Sequence, residues 1–127
     1  MGEVIRWRGR EAVVLDTVRI TLLRRSLGDQ RAREILEETA FHLTDRLALL
    51  AAARQAGNRA EARACATRIA AMGDQVGLAS FARAARTLDA CIAGGDPVAE
   101  AAVAARLERM AEESLYSLVT YAEQSAL

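Results

Sequence analysis

The chain has 127 residues, and its 17 basic side chains, all arginine, are balanced by 17 acids to a formal net charge of zero. That balance argues against bulk attraction to nucleic acid or to an anionic membrane, and the length suits one domain with a single core. Hydrophobic residues make up 52% but aromatics only 4%, so the core has to be built from aliphatic and small side chains, and abundant alanine with one proline favours helix throughout.

Residues 1–11 carry no clear period and are read as irregular, with Val4, Ile5 and Trp7 expected to pack onto the domain. From about Ala12 to Leu27, the residues Val14, Leu15, Val18, Leu22 and Leu23 predict a helix with one apolar side. Gly28 ends it, and Asp29 is placed to cap the next. The second helix runs from about Gln30 to Gln55, where Leu36, Ala40, Leu43, Leu47 and Leu50 step by fours and threes, the seam of a bundle helix. Ala56-Gly57-Asn58 is a short turn, and Asn58 followed three residues on by Glu61 predicts a capping box at the start of a third helix. A fourth helix is expected from about Leu78 to Ala93, burying Leu78, Phe81, Ala85, Leu88 and Ile92 while Arg83 and Arg86 point away. Gly94-Gly95 stops it. Asp96 as N-cap and Pro97 at the first position start the last helix, whose inner face holds Val103, Leu107, Met110, Ser114, Leu118 and Tyr121 to about Ala122. No strand pattern competes with these helices. Short turns between long helices make antiparallel neighbours, so the fold class is all-α: an antiparallel four-helix bundle of the second to fifth helices, with a shorter N-terminal helix over one end.

The third helix carries the pattern of greatest interest. At about 100° per residue, Cys65, Ile69, Met72 and Val76 fall on one arc, and Arg63, Thr67, Ala71 and Asp74 fall on the opposite one. The helix is therefore expected to show water a row centred on Thr67, with the small residues Ala70 and Ala71 on or beside it. This segment resembles the signature helix of histidine-containing phosphotransfer (HPt) domains. In that family a histidine is followed by leucine at +2, lysine at +3, glycine at +4, serine at +5 and a Leu-Gly pair at +9 and +10. Val76-Gly77 matches the pair, Ile69 the leucine and Ala71 the glycine, whereas Ala70 replaces the lysine, Met72 the serine and Thr67 the histidine. The likeness extends over roughly residues 12–122 through the Leu27-Gly28-Asp29 turn, the stretch FHLTDRLALLAAARQAGN and the Gly94-Gly95-Asp96 turn. It implies one HPt-like domain over residues 1–127 that has the frame and lacks the phosphoacceptor.

The function expected on that resemblance is a two-component signalling module that binds a response-regulator receiver domain or a histidine kinase without carrying phosphate and without enzymatic activity. A threonine phosphate ester is too stable to return its phosphoryl group to an aspartate, and a hydroxyl needs an adjacent base to be a good nucleophile. The cation that would neutralise a transferring phosphoryl group is also missing. The partner surface implied is Arg63, Thr67, Arg68, Ala70, Ala71 and Asp74, with Arg83 and Arg86 from the next helix, an arginine-edged patch suited to a receiver's acidic pocket. Two alternatives stand beside this one. The lone histidine, His42, is read as a boundary residue that packs its ring and wets one nitrogen. The run His42-Leu43-Thr44-Asp45-Arg46-Leu47 nevertheless resembles the histidine helix of sensor-kinase dimerisation domains, which would make His42 a phosphoacceptor. The other alternative is a structural or oligomerising bundle. No metal or cofactor is expected, because a single histidine without cysteines or acids at ligand spacing is no metal site. Cys65 and Cys91 are read as small buried hydrophobes. The absence of an apolar run near the ~18 residues of a membrane span and of a leader-like start places the chain in the cytoplasm as an expectation. Monomer and dimer stay open.

Overall fold

The computed structural model describes residues 2–5 and 13–125, with side chains from 15 to 123. In chain order the elements are β1 (Gly2–Ile5), β2 (Val13–Asp16), α1 (Thr17–Leu27), α2 (Asp29–Gln55), α3 (Arg59–Gln75), α4 (Ala79–Gly94) and α5 (Pro97–Ser125). The antiparallel four-helix bundle expected from the sequence is present: α2 packs on α3, α3 on α4, α4 on α5, and α5 closes the ring against α2.

The N-terminal reading needs correction. No helix starts at Ala12. Val13 to Asp16 form a strand that pairs antiparallel with Gly2 to Ile5, Gly2 opposite Asp16 and Ile5 opposite Val13. Val4 and Ile5 thus belong to a strand; Trp7 lies outside the described residues. Two local features explain the switch. Val13 and Val14 are β-branched and stiff in a helix. Asp16 takes an extended conformation (φ −80°, ψ 96°), and its carboxylate accepts the Val18 amide at 3.0 Å, which caps α1 one residue later. The strand buries Leu15 completely, and α1 buries Ile20. Val18 and Leu22, assigned to the apolar side by spacing, are about half exposed, at 50% and 49%. Asp29 is also not a cap: Gly28 at φ 84° joins α1 to α2, and Asp29 is the first helical residue, where its charge meets the positive end of the helix dipole.

The three joints between bundle helices share one design. Gly57, Gly77 and Gly95 each adopt positive φ just past a helix end. The next residue's amide reaches back to a carbonyl five residues earlier: Asn58 to Ala53 at 2.9 Å, Leu78 to Gly73 at 2.8 Å and Asp96 to Cys91 at 3.3 Å. These bonds satisfy carbonyls that the helix end leaves open. That same residue then begins the following helix. Asn58 Oδ1 accepts the Glu61 amide at 3.1 Å and Asp96 Oδ1 the Ala99 amide at 3.1 Å. The capping box is only half made, because the Asn58 amide is already committed to Ala53 and the Glu61 carboxylate accepts from the Cys65 thiol at 3.7 Å instead.

The core matches the predicted seams closely. Leu36, Ala40, Leu43 and Leu50 of α2, Cys65 and Ile69 of α3, Phe81, Ala85, Leu88 and Ile92 of α4, and Leu107, Met110 and Leu118 of α5 are all buried. Leu47, Met72, Val103 and Tyr121 pack against them half-buried. α3 and α4 pack closely at Gly73, where an added Cβ would stand 3.3 Å from the Ala82 Cβ. At one end, the Arg54 and Glu100 side chains pair at 2.9 Å and Arg59 donates to the Ile92 carbonyl at 2.6 Å. At the other, the Arg24 guanidinium lies over the Tyr121 ring at 4.9 Å, tying α1 to α5.

Gly77 bears a double constraint. It sits at φ 83°, its carbonyl accepts the Asp16 amide at 2.8 Å, and a Cβ there would fall 2.7 Å from the Asp16 carbonyl oxygen. Gly57, at φ 70°, has open space around it. Gly57→Ala should therefore cost only its backbone strain, about 1–2 kcal/mol. Gly77→Ala, which adds a backbone clash to the same strain, should cost more than about 2 kcal/mol. Urea unfolding of the two variants checks the order, and equal losses would place β2 away from this joint.

Candidate functional site

The candidate site is the outward side of α3. Its α-helical rotation follows from burial: Ala62, Cys65, Ala66, Ile69, Ala70 and Gly73 face the bundle. Arg63, Thr67, Arg68, Ala71 and Asp74 are exposed, as expected for the row centred on Thr67. Ala70 is the correction. It is only 3% exposed, because α3 packs against both α2 and α4 and the bundle covers a wider arc than the Cys65 to Val76 stripe. It therefore cannot belong to a partner surface, and a lysine there would start from inside the core. Arg83 and Arg86 of α4 are exposed beside the row.

Charge on this surface is arranged across the seam between α3 and α4. Arg63 Nε donates to Asp89 Oδ1 at 2.8 Å, and Arg86 donates to Asp74 Oδ2 at 2.7 Å. The Asp89 bond holds the Arg63 guanidinium above its ordinary pKa, a surface effect with little weight for stability. Two of the four arginines are thus spoken for by acids. Among the described residues, neither Arg68 nor Arg83 makes an ion pair. Asp89 was not a sequence candidate. Its role depends on the register between two helices, which no spacing within one helix reveals. Among the described residues, no side chain hydrogen-bonds the Thr67 hydroxyl, and no acid or imidazole stands within its own helical neighbourhood of Arg63, Ala64, Ala70 and Ala71.

His42 lies elsewhere, exposed on α2, with its ring edge against Phe41 at 5.6 Å between centroids and 72° between planes. Phe41 is itself 69% exposed, so the imidazole is less packed than a boundary residue. It borders a groove of about 450 Å³ between α2 and α3 that Arg46, Arg68 and Met72 also line. The structure thus separates the two candidate positions: Thr67 belongs to the seam with α4, His42 to the groove with α2. Cys65 is buried, and burial, with the Glu61 carboxylate beside it, pushes its thiol up. Cys91 is half-buried, and both are free thiols. Among the described residues, no group of histidine, cysteine and acidic side chains could hold a metal ion, and no helix is long and apolar enough to cross a membrane. Comparison with protein-family models, with curated proteins and with solved structures gives no match.

The burial pattern sets the expected costs. Ile69→Ala should lose about 2–4 kcal/mol, and Thr67→Ala less than about 0.5 kcal/mol. Thr67→His should be similarly mild, whereas Ala70→Lys should lose about 1–3 kcal/mol through overpacking alone. Chemical denaturation of the four variants measures all of this at once. Comparable losses at 67 and 70 would mean that α3 is rotated from the orientation described.

Proposed function

We propose that this chain is a degenerate histidine-containing phosphotransfer domain, a two-component signalling module that docks a receiver domain or a histidine kinase and carries no phosphate. One observation supports this reading above the others. The second helix of an antiparallel bundle presents an exposed row whose central position holds Thr67, while the flanking frame residues Ile69 and Val76 are buried and Gly77 ends the helix at positive φ. The frame suits a phosphotransfer surface, and its reactive atom is gone. Transfer from a receiver needs a nucleophile in line with the aspartyl phosphate and a cation beside it. Thr67 has no base beside it, and Ala70 brings a buried methyl where the cation would be.

What remains is recognition. Ala71 keeps the middle of the row low, and Arg68 and Arg83 offer uncommitted positive charge on either side of it, complementary to an acidic receiver pocket. Such a module acts by occupying a receiver or kinase surface, competing with the partner that does exchange phosphate.

Binding to the receiver domains and histidine kinases of the same cell, with phosphotransfer read in the same tubes, tests the reading. At least one should bind, and no acid-labile label should reach the chain. Ala71→Arg, which fills the low centre of the row, and Arg83→Glu, which reverses a flanking charge, should each weaken that binding by about tenfold or more. Binding by none of them would favour a structural bundle instead. Acid-labile label that vanishes in His42→Gln would make His42 a phosphoacceptor and end the phosphate-free reading.

A further inference from the structure

The groove between α2 and α3 is separate from the row on Thr67 and is built differently. It measures about 450 Å³ and is lined from α2 by Arg31, Ile35, Glu38, Thr39, His42, Asp45 and Arg46, and from α3 by Arg68, Met72 and Gln75. Its size falls within the range of small-ligand sites, and its lining is mainly polar.

The charges in it divide into two sets. Arg31 is held by Glu34 at 3.0 Å and by Glu38 at 3.3 Å, so its positive charge is taken up by acids at this end. Arg46 and Arg68, one from each wall, make no ion pair among the described residues. Arg46 is half-buried beside the Cys65 thiol, with no carboxylate paired to it among the described residues. Asp45 is the one remaining acid of the lining. Two guanidiniums therefore face a single carboxylate, with His42 one helical turn before Arg46 on the same wall and close to it. Thr39 and Gln75 add neutral donors, and Ile35 and Met72 supply a short apolar stretch.

We infer that this groove binds a phosphomonoester: Arg46 and Arg68 grip the phosphate from opposite walls, His42 donates to it, and the organic portion lies against Ile35 and Met72. A guanidinium's fork of donors matches a phosphate oxygen pair, and charge-assisted bonds of this kind are the strong ones. A carboxylate ligand would meet the same arginines with one negative charge fewer. Arg68 borders both surfaces, but the inference does not rest on receiver docking, since none of Thr67, Ala71 and Arg83 lines the groove.

The test is an amide NMR titration of the full chain with inorganic phosphate, phenyl phosphate and benzoate, each against sodium chloride at matched ionic strength. Phenyl phosphate should give saturable shifts at Thr39, His42, Arg46, Arg68 and Gln75, with tighter binding than phosphate or benzoate because it alone uses both the arginines and the apolar stretch. Arg68→Gln and His42→Gln lie at exposed positions and should leave the fold intact. Arg68→Gln should weaken phenyl phosphate binding about tenfold, the loss expected for one charge-assisted bond. Arg83→Gln, outside the groove, should leave it unchanged. Shifts that do not saturate, that scatter over the arginine surface, or that persist undiminished in Arg68→Gln would overturn the inference.

Discussion

Everything in this fold depends on how each bundle helix is stopped and the next one started within two or three residues. A glycine at positive φ turns the chain, and the residue after it donates back to the finished helix before opening the next. Such a joint leaves no slack, so consecutive helices must lie antiparallel and in contact. At Gly77 the same joint does a second job. Its carbonyl receives the Asp16 amide, and its missing side chain makes room for the Asp16 backbone. The hairpin and α1 are thereby anchored to the bundle at the one point where α3 gives way to α4, and Leu15 and Ile20 are carried into the core from there.

The consequence for α3 is that it is packed from two sides and free on one. Small residues make this possible: Ala62, Ala66, Ala70 and Gly73 let α2 and α4 come close. What is left outside is a narrow strip. On the α4 side its arginines and acids pair across the seam, Arg63 with Asp89 and Arg86 with Asp74. On the α2 side the strip borders a polar groove where Arg46 and Arg68 make no ion pair among the described residues. A protein with a net charge of zero thus distributes its charge unevenly around one helix, in ion pairs on the α4 side and without them at Arg46 and Arg68 on the α2 side.

Most of the architecture was legible residue by residue. Asn58 and Asp96 marked helix starts that they do cap, Gly57 and Gly95 marked stops, and the apolar seams of α2, α4 and α5 named residues that are buried. Where the reading failed, non-local pairing had overridden a plausible helical period. Val14 and Leu15 fit the helical spacing of Val18 and Leu22, yet they pair with Val4 and Glu3 in a hairpin whose other strand has no period of its own. Ala70 failed for another reason. A helix with one neighbour buries a narrow arc, one with two neighbours a wide one, and alanine, small enough for either side, gives no hint of which applies.

The sequence by itself determined the four bundle helices, their order, their antiparallel turns and a threonine at the centre of the exposed row of α3, because capping, turn chemistry and periodicity are local properties of the chain. Tertiary structure alone decided which exposed arginines keep their charge available. That depends on which acid the neighbouring helix brings opposite them: Asp89 meets Arg63, and Asp74 meets Arg86, but no acid reaches Arg68 among the described residues. It also decided that His42 and Arg68, twenty-six positions apart, border one groove. Such meetings are set by the register and rotation of packed helices, and these follow from side-chain volume across the whole interface, not from the spacing within any one helix.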